Sequence, residues 1–199
     1  MLLLCLICSL IHTLMDTTGF KTVRYSKTTI TELMIPSYAN FGGKIHGGIL
    51  LSLMDKVAYV CAAKHAGTYC VTASIDSVDF LAPVEVGELV SMRASVNYVG
   101  TASLIVGIRV SSENVKTQVI KHTNTSYFTM VAMGDDHKPV QVPGLILETK
   151  DEVRRFVETM KRKELSKQNR NTLNSIKMPM KLESYNELLT HERCLVKTD

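Results

Sequence analysis

Apolar and polar positions alternate along this chain with two different periods. From Thr22 to Met34 β-branched residues and tyrosine dominate, which predicts a strand leading to Pro36. Residues 37–46 are glycine-rich and predict a loop. From Gly47 to His65 the chain is apolar almost all round, broken only by Ser52, Asp55, Lys56, Tyr59 and Lys64. That run predicts a long helix enclosed on most sides. Four β-type runs follow, at about 69–81, 88–99, 102–113 and 117–133. They are punctuated by Pro83, Gly87, Gly100 and the turn at 111–114. Three connections are short enough for hairpins, so the sheet should be antiparallel. One strand, one buried helix and four more strands predict an α+β fold in which a five-stranded sheet curls around a single helix.

After Pro143 the pattern changes. Residues 151–167 are charged and amphipathic, with Val153, Phe156, Val157, Met160 and Leu165 at helical spacing. Ser166 to Ser175 is polar and predicts loose order. A weak helical pattern recurs around Leu182 to Leu189. The expected organisation is an apolar leader at 1–19, one domain at 20–145 and a charged helical tail at 146–199.

Charge sharpens this division. From Lys150 onward there are 12 Lys/Arg against 8 Asp/Glu, whereas the first 149 residues hold 11 of each. The domain is therefore not a nucleic-acid surface by composition, and no nucleic-acid partner is expected. Five scattered cysteines (Cys5, Cys8, Cys61, Cys70 and Cys194) show no disulfide framework, which favours a reducing, cytoplasmic setting. Cys5-x-x-Cys8 lacks the second pair that a zinc site needs. The leader resembles a signal-peptide core without a basic flank, and Met15 is an alternative start. No segment is expected to span a membrane. A phosphate-binding Gly-x-x-x-x-Gly-Lys-Ser/Thr loop, a Gly-x-Ser-x-Gly elbow and zinc spacing are all missing from the sequence.

Asp55 is the anomaly. A carboxylate in the middle of an apolar helix is costly unless something needs it. The run Asn40-Phe41-Gly42-Gly43-Lys44-Ile45-His46-Gly47-Gly48 precedes it. Glycines at a helix start expose N–H groups at the positive end of the helix dipole. Gly47 or Gly48 is thus a candidate oxyanion donor. His46 at the helix start reads as structural more readily than as a base.

This loop and Asp55 resemble the hotdog-fold acyl-CoA thioesterases of the cytosolic acyl-CoA hydrolase type. So do Asp79-Phe80-Leu81-Ala82-Pro83-Val84-Glu85-Val86-Gly87-Glu88, Tyr98-Val99-Gly100-Thr101-Ala102-Ser103 and Tyr127-Phe128-Thr129-Met130-Val131-Ala132. The resemblance covers residues 20–145. It implies a single hotdog domain that hydrolyses acyl-CoA to a carboxylate and coenzyme A. The coenzyme is part of the substrate, and no cofactor or metal is implied. It makes Asp55 the catalytic carboxylate, as general base or nucleophile, and Asn40 its polar partner across a dimer interface. Phe80, Gly100, Thr101 and Ser103 are expected to bind the coenzyme, and Lys161-Arg162-Lys163 is a further cationic cluster. Met54, Val57, Ala58 and Cys61 are candidate walls of an acyl channel. The expected assembly is a homodimer, further grouped as a trimer of dimers.

Distance supports a dimer. Gly47 and Asp55 are eight residues apart, about 12 Å along one helix. A base and an oxyanion donor must both reach one carbonyl within roughly 3–4 Å. Two antiparallel helices supply both groups where one cannot. The rival readings are an acyl-thioester hydratase or dehydratase on the same fold, and a non-catalytic acyl-CoA-sensing regulator.

Overall fold

The computed structural model describes residues 19–176 and a few positions near the C-terminus. The leader with Cys5, Cys8 and Met15, and most of the 182–189 pattern, lie outside the described residues. The elements are β1 (Phe20–Thr22), α1 (Val23–Ser26), β2 (Thr28–Leu33), a 3-10 turn (Pro36–Tyr38), α2 (Gly47–Ala66), β3 (Tyr69–Ile75), β4 (Leu89–Val99), β5 (Ser103–Asn114), β6 (Val119–Met133), β7 (Gly144–Ile146) and α3 (Lys150–Ile176). The chain is α+β. Five antiparallel strands in the order β2-β4-β5-β6-β3 pack one face on α2, and β1 pairs in parallel with β7.

Helix α2 buries Leu50, Leu53, Met54, Val57, Ala58, Cys61, Ala62 and His65, a stripe at i, i+3, i+4 and i+7. Gly67 ends it in the left-handed region at φ 78°, where glycine alone carries no Cβ penalty, and its N–H caps Ala63 O. The stripe meets Met92, Val96, Leu104, Val106, Phe128 and Met130, all fully buried. The opposite side of α2 is open in a single chain, with Tyr59 and Val60 exposed. The expectation of a helix enclosed on most sides fails for one chain taken alone.

Three further expectations need correction. The single strand over 22–34 is broken by α1, because Thr22 Oγ1 accepts the Tyr25 N–H and starts a helical turn. The run 69–81 keeps strand form only to Ile75. A register shift between Thr72 and Ser74 loosens the ladder, and the following segment touches β6 through single bonds from Asp76 N to Tyr127 O and Leu81 N to Thr123 O. Helix α3 continues through Ile176, beyond the stretch where loose order was expected. It opens on a reciprocal cap: Thr149 Oγ1 accepts the Glu152 N–H, and Glu152 Oε2 accepts the N–H groups of Thr149 and Glu148.

The chain divides into two compact units at Thr159/Met160. In the first, the start of α3 lies against the sheet, with Phe156 and Tyr98 ring centroids 5.2 Å apart and Lys27 paired to Glu152 at 3.4 Å. In the second, residues 160–176 of α3 are exposed. No described helix is long and apolar enough to cross a membrane.

Candidate active site

Asp55 lies at the edge of the buried stripe of α2 and is half-buried. Its Oδ1 accepts a hydrogen bond of 2.6 Å from Thr72 Oγ1. Thr72 stands in β3, an edge strand of the sheet, and is itself exposed. One carboxylate oxygen is thus fixed while the group stays accessible from the open side of α2. Thr72 was not foreseen from sequence, where a threonine among Tyr69, Cys70 and Val71 reads as an ordinary strand residue.

The start of α2 is held on three sides. His46 N donates to Tyr38 O at 2.9 Å, Ile45 N donates to Val84 O at 2.9 Å, and Lys44 pairs with Glu85. His46 is the N-cap residue, and its Nδ1 accepts the Gly48 N–H at 2.9 Å. That bond occupies the Gly48 donor and gives His46 a structural task. The Phe80 ring covers Gly47 closely: a Cβ there would stand 3.3 Å from Phe80 Cζ. Of the two glycines, Gly47 is the one packed under an aromatic ring.

Asn40 is exposed at the tip of the preceding loop. Its Oδ1 accepts the N–H groups of Gly42 at 2.9 Å and Lys44 at 3.2 Å, which folds the loop and leaves its amide nitrogen as a donor. Phe41 beside it is fully exposed.

Gly100, Thr101 and Ser103 form the β4–β5 turn. Gly100 N donates to Ser103 O at 2.7 Å, Val142 N to Thr101 O at 2.9 Å and Ala132 N to Ala102 O at 2.9 Å. Phe80 lies at the other end of β6, where Leu81 N meets Thr123 O. The nine steps from Thr123 to Ala132 make about 30 Å of strand, so one chain does not bring Phe80 and this turn together. Met54, Val57, Ala58 and Cys61 are fully buried core residues and do not line an open channel in one chain. Burial pushes the Cys61 thiol up to about 12, which keeps it inert. Among the described residues no group of three or more His, Cys, Asp or Glu is placed to hold a metal ion.

Comparison with known proteins gives the family. The family model of the thioesterase superfamily matches residues 42–119. The uncharacterized acyl-CoA thioester hydrolase YkhA of Bacillus subtilis is 36% identical over 70% of this chain and 81% of its own. The chain belongs to the acyl-CoA thioester hydrolase family of hotdog proteins. Protein VdlD of Helicobacter pylori is 46% identical over 70% of this chain and 80% of its own length. The chain spans only 36% of the cytosolic acyl-CoA thioester hydrolase of Rattus norvegicus that it also matches. Among solved structures, a hexameric acyl-CoA thioesterase superposes with a TM-score of 0.73 at 38% identity, covering 75% of this chain and 96% of that one. The acyl-CoA hydrolase of Staphylococcus aureus, solved with butyryl-CoA and coenzyme A, gives 0.73 at 33% identity over 79% and 96%. Three variants of that enzyme replace an asparagine, an aspartate and a threonine by alanine. The asparagine precedes the aspartate by 15 residues and the threonine follows it by 17.

Proposed function

We propose that this protein hydrolyses acyl-CoA thioesters, with Asp55 as the reacting carboxylate and Thr72 orienting it. The observation that carries this reading is the 2.6 Å bond from Thr72 to a half-buried, accessible Asp55. Its support is a matched spacing. Asn40, Asp55 and Thr72 stand 15 and 17 residues apart, the same intervals and residue types as the three positions varied in the Staphylococcus aureus hydrolase.

In this reading a water molecule lies between Asp55 and the thioester carbonyl. Asp55 takes a proton from it as the new C–O bond forms, and the carbonyl oxygen becomes an oxyanion. The exposed N–H end of a helix α2 receives that oxyanion, because fixed dipoles there need no reorganisation. The C–S bond then breaks and the coenzyme thiolate recovers the proton. In the alternative route Asp55 attacks the carbonyl itself and water hydrolyses the resulting anhydride. Both routes need the same two groups at one carbonyl, and a single α2 separates them by about 12 Å. The site is therefore shared: Asp55 and Thr72 from one subunit, with Gly47 and Asn40 from its twin. The open side of α2 and edge strand β3 form the contact. Tyr59, Val60, Tyr69 and Ile75 are exposed there, and an uncovered edge strand with apolar neighbours favours a partner. These dimers group further into hexamers.

Thiol release from acyl-CoAs of graded chain length tests the assignment. Asp55→Asn is expected to lose at least ~10²-fold in turnover, the scale for removing a general base, with unchanged circular dichroism. Near-full activity in that variant removes Asp55 from the mechanism.

A further inference from the structure

The sheet has a second face, turned away from α2, and that face carries chemistry the hydrolysis does not use. Successive side chains on a strand point to opposite faces. Met92, Ala94, Ile108 and Val110 are buried toward α2, and Arg93 and Arg109 between them are exposed on the other side. There, beneath the first turns of α3, lies a cavity of about 420 Å³ lined by Lys27, Arg93, Arg109, Arg154, Arg155 and Glu158 among others. This volume falls within the ~300–1,000 Å³ range of small-molecule sites. Most such sites are apolar, whereas five cations and one carboxylate line this one.

The local charges do not balance. Arg154 is paired with Asp151 and, at 2.8 Å, with Glu158. Arg155 is paired with Asp151 at 2.7 Å, and Lys27 with Glu152 at 3.4 Å. These pairs occupy all three carboxylates that face the cations of the groove. Arg93 and Arg109 make no side-chain hydrogen bond or ion pair among the described residues. They also stand directly opposite each other on β4 and β5. Like charges in that register repel.

Neutral donors complete the floor. The cross-strand row runs Thr29, Arg93, Arg109, Thr125, so a hydroxyl flanks each guanidinium. The next row holds Ser95, Gly107 and Tyr127. Ser95 Oγ donates to Asn97 Oδ1 at 2.8 Å, which turns the Asn97 amide nitrogen over Gly107, and a Cβ at that glycine would collide with it. A glycine in the middle of a strand marks a close approach, here of an amide donor into a basic groove.

We propose that this groove binds a phosphate-bearing anion, with a diphosphate seated between Arg93 and Arg109. The two guanidinium groups arise one strand spacing apart, on the order of 5 Å, so each can take its own phosphoryl group. The planar fork of arginine suits such oxygens bidentately. A diphosphate can come from a free nucleotide or from the coenzyme portion of an acyl-CoA, and the two sources are separable.

The test is calorimetric titration of inorganic pyrophosphate into the full-length chain. One site per chain is expected, with affinity falling at least about tenfold in Arg93→Ala and in Arg109→Ala, the scale for a lost charged hydrogen bond. Titration of ADP in the presence of saturating coenzyme A separates the sources: retained ADP binding identifies a free nucleotide, and lost ADP binding identifies the coenzyme's own diphosphate. Binding is read without turnover, and Asp55→Asn is expected to bind pyrophosphate as the wild type does, so this result stands or falls apart from the hydrolysis. The proposal is overturned if wild type takes up no pyrophosphate or if both arginine variants bind it undiminished. It is also overturned if the variants sediment with a smaller assembly mass, which would assign the arginines to a contact between copies of the chain.

Discussion

Asp55 and Thr72 are the two residues whose contact defines the proposed site. Asp55 was visible in sequence because a charge interrupts an apolar helix. Thr72 was not, because a contact across 17 residues between a helix and a strand leaves no local spacing to detect. His46 was read as structural, but the form of that role was hidden: histidine is not among the favoured N-cap residues, yet its Nδ1 accepts the Gly48 N–H. If Thr72 orients the carboxylate, Thr72→Ala lowers turnover by about 10- to 100-fold, the scale of one charged hydrogen bond. Thr72→Ser restores most of it, and KM changes little in either variant. Steady-state thiol release separates this from a structural defect, which would depress both variants alike.

At the level of elements, the hairpins from Leu89 to Met133 were legible from period and punctuation, since short turns between β-rich runs leave few topologies. Helix α2 was legible to within a residue. The breaks at Thr22 and Ile75 were not, because both sit inside runs of continuous strand propensity. The length of α3 was missed although its start signal, Thr149-x-x-Glu152, stood in the sequence. Burial alone pushes the Glu152 carboxyl up, but the N–H groups of Glu148 and Thr149 and the Lys27 ammonium hold it below the usual range. Glu152→Ala is expected to lower stability by about 1–3 kcal/mol in urea unfolding, the cost of stranding such donors.

The last turn of α2 supplies a pH dependence. His65 is fully buried, its Nε2 lies 3.0 Å from Pro143 O, and burial holds the imidazole below its ordinary value. Above about pH 6.5 both folded and unfolded chains carry it neutral, so it contributes no slope. As pH falls below that value the unfolded chain takes up a proton that the folded chain resists, and stability drops. Urea midpoints at pH 7.5 and 5.5 should therefore differ, and His65→Gln should shrink the difference.

For the whole molecule, the sequence argued for a partner without indicating where it would sit. The 12 Å helix argument required two chains. The fold adds a face: exposed Tyr59 and Val60 on α2 beside Tyr69 on edge strand β3, with the rings of Tyr59 and Tyr69 5.9 Å apart. Phe80 and the Gly100–Ser103 turn lie at opposite ends of β6, so they can serve one acyl-CoA only if they come from different chains. The basic groove under α3 could not be read from sequence, because Arg93 and Arg109 meet only through the β4–β5 register.

Subunit mixing tests the shared site most directly. Asn40→Ala and Asp55→Asn chains, each inactive alone, are unfolded together and reassembled. If Asn40 and Asp55 act on one thioester from different subunits, random pairing leaves one intact site in each mixed dimer, and activity returns to about a quarter of wild type. If the mixture stays as inactive as its parents while mixed dimers are present, the two residues act within one chain and the shared site is wrong.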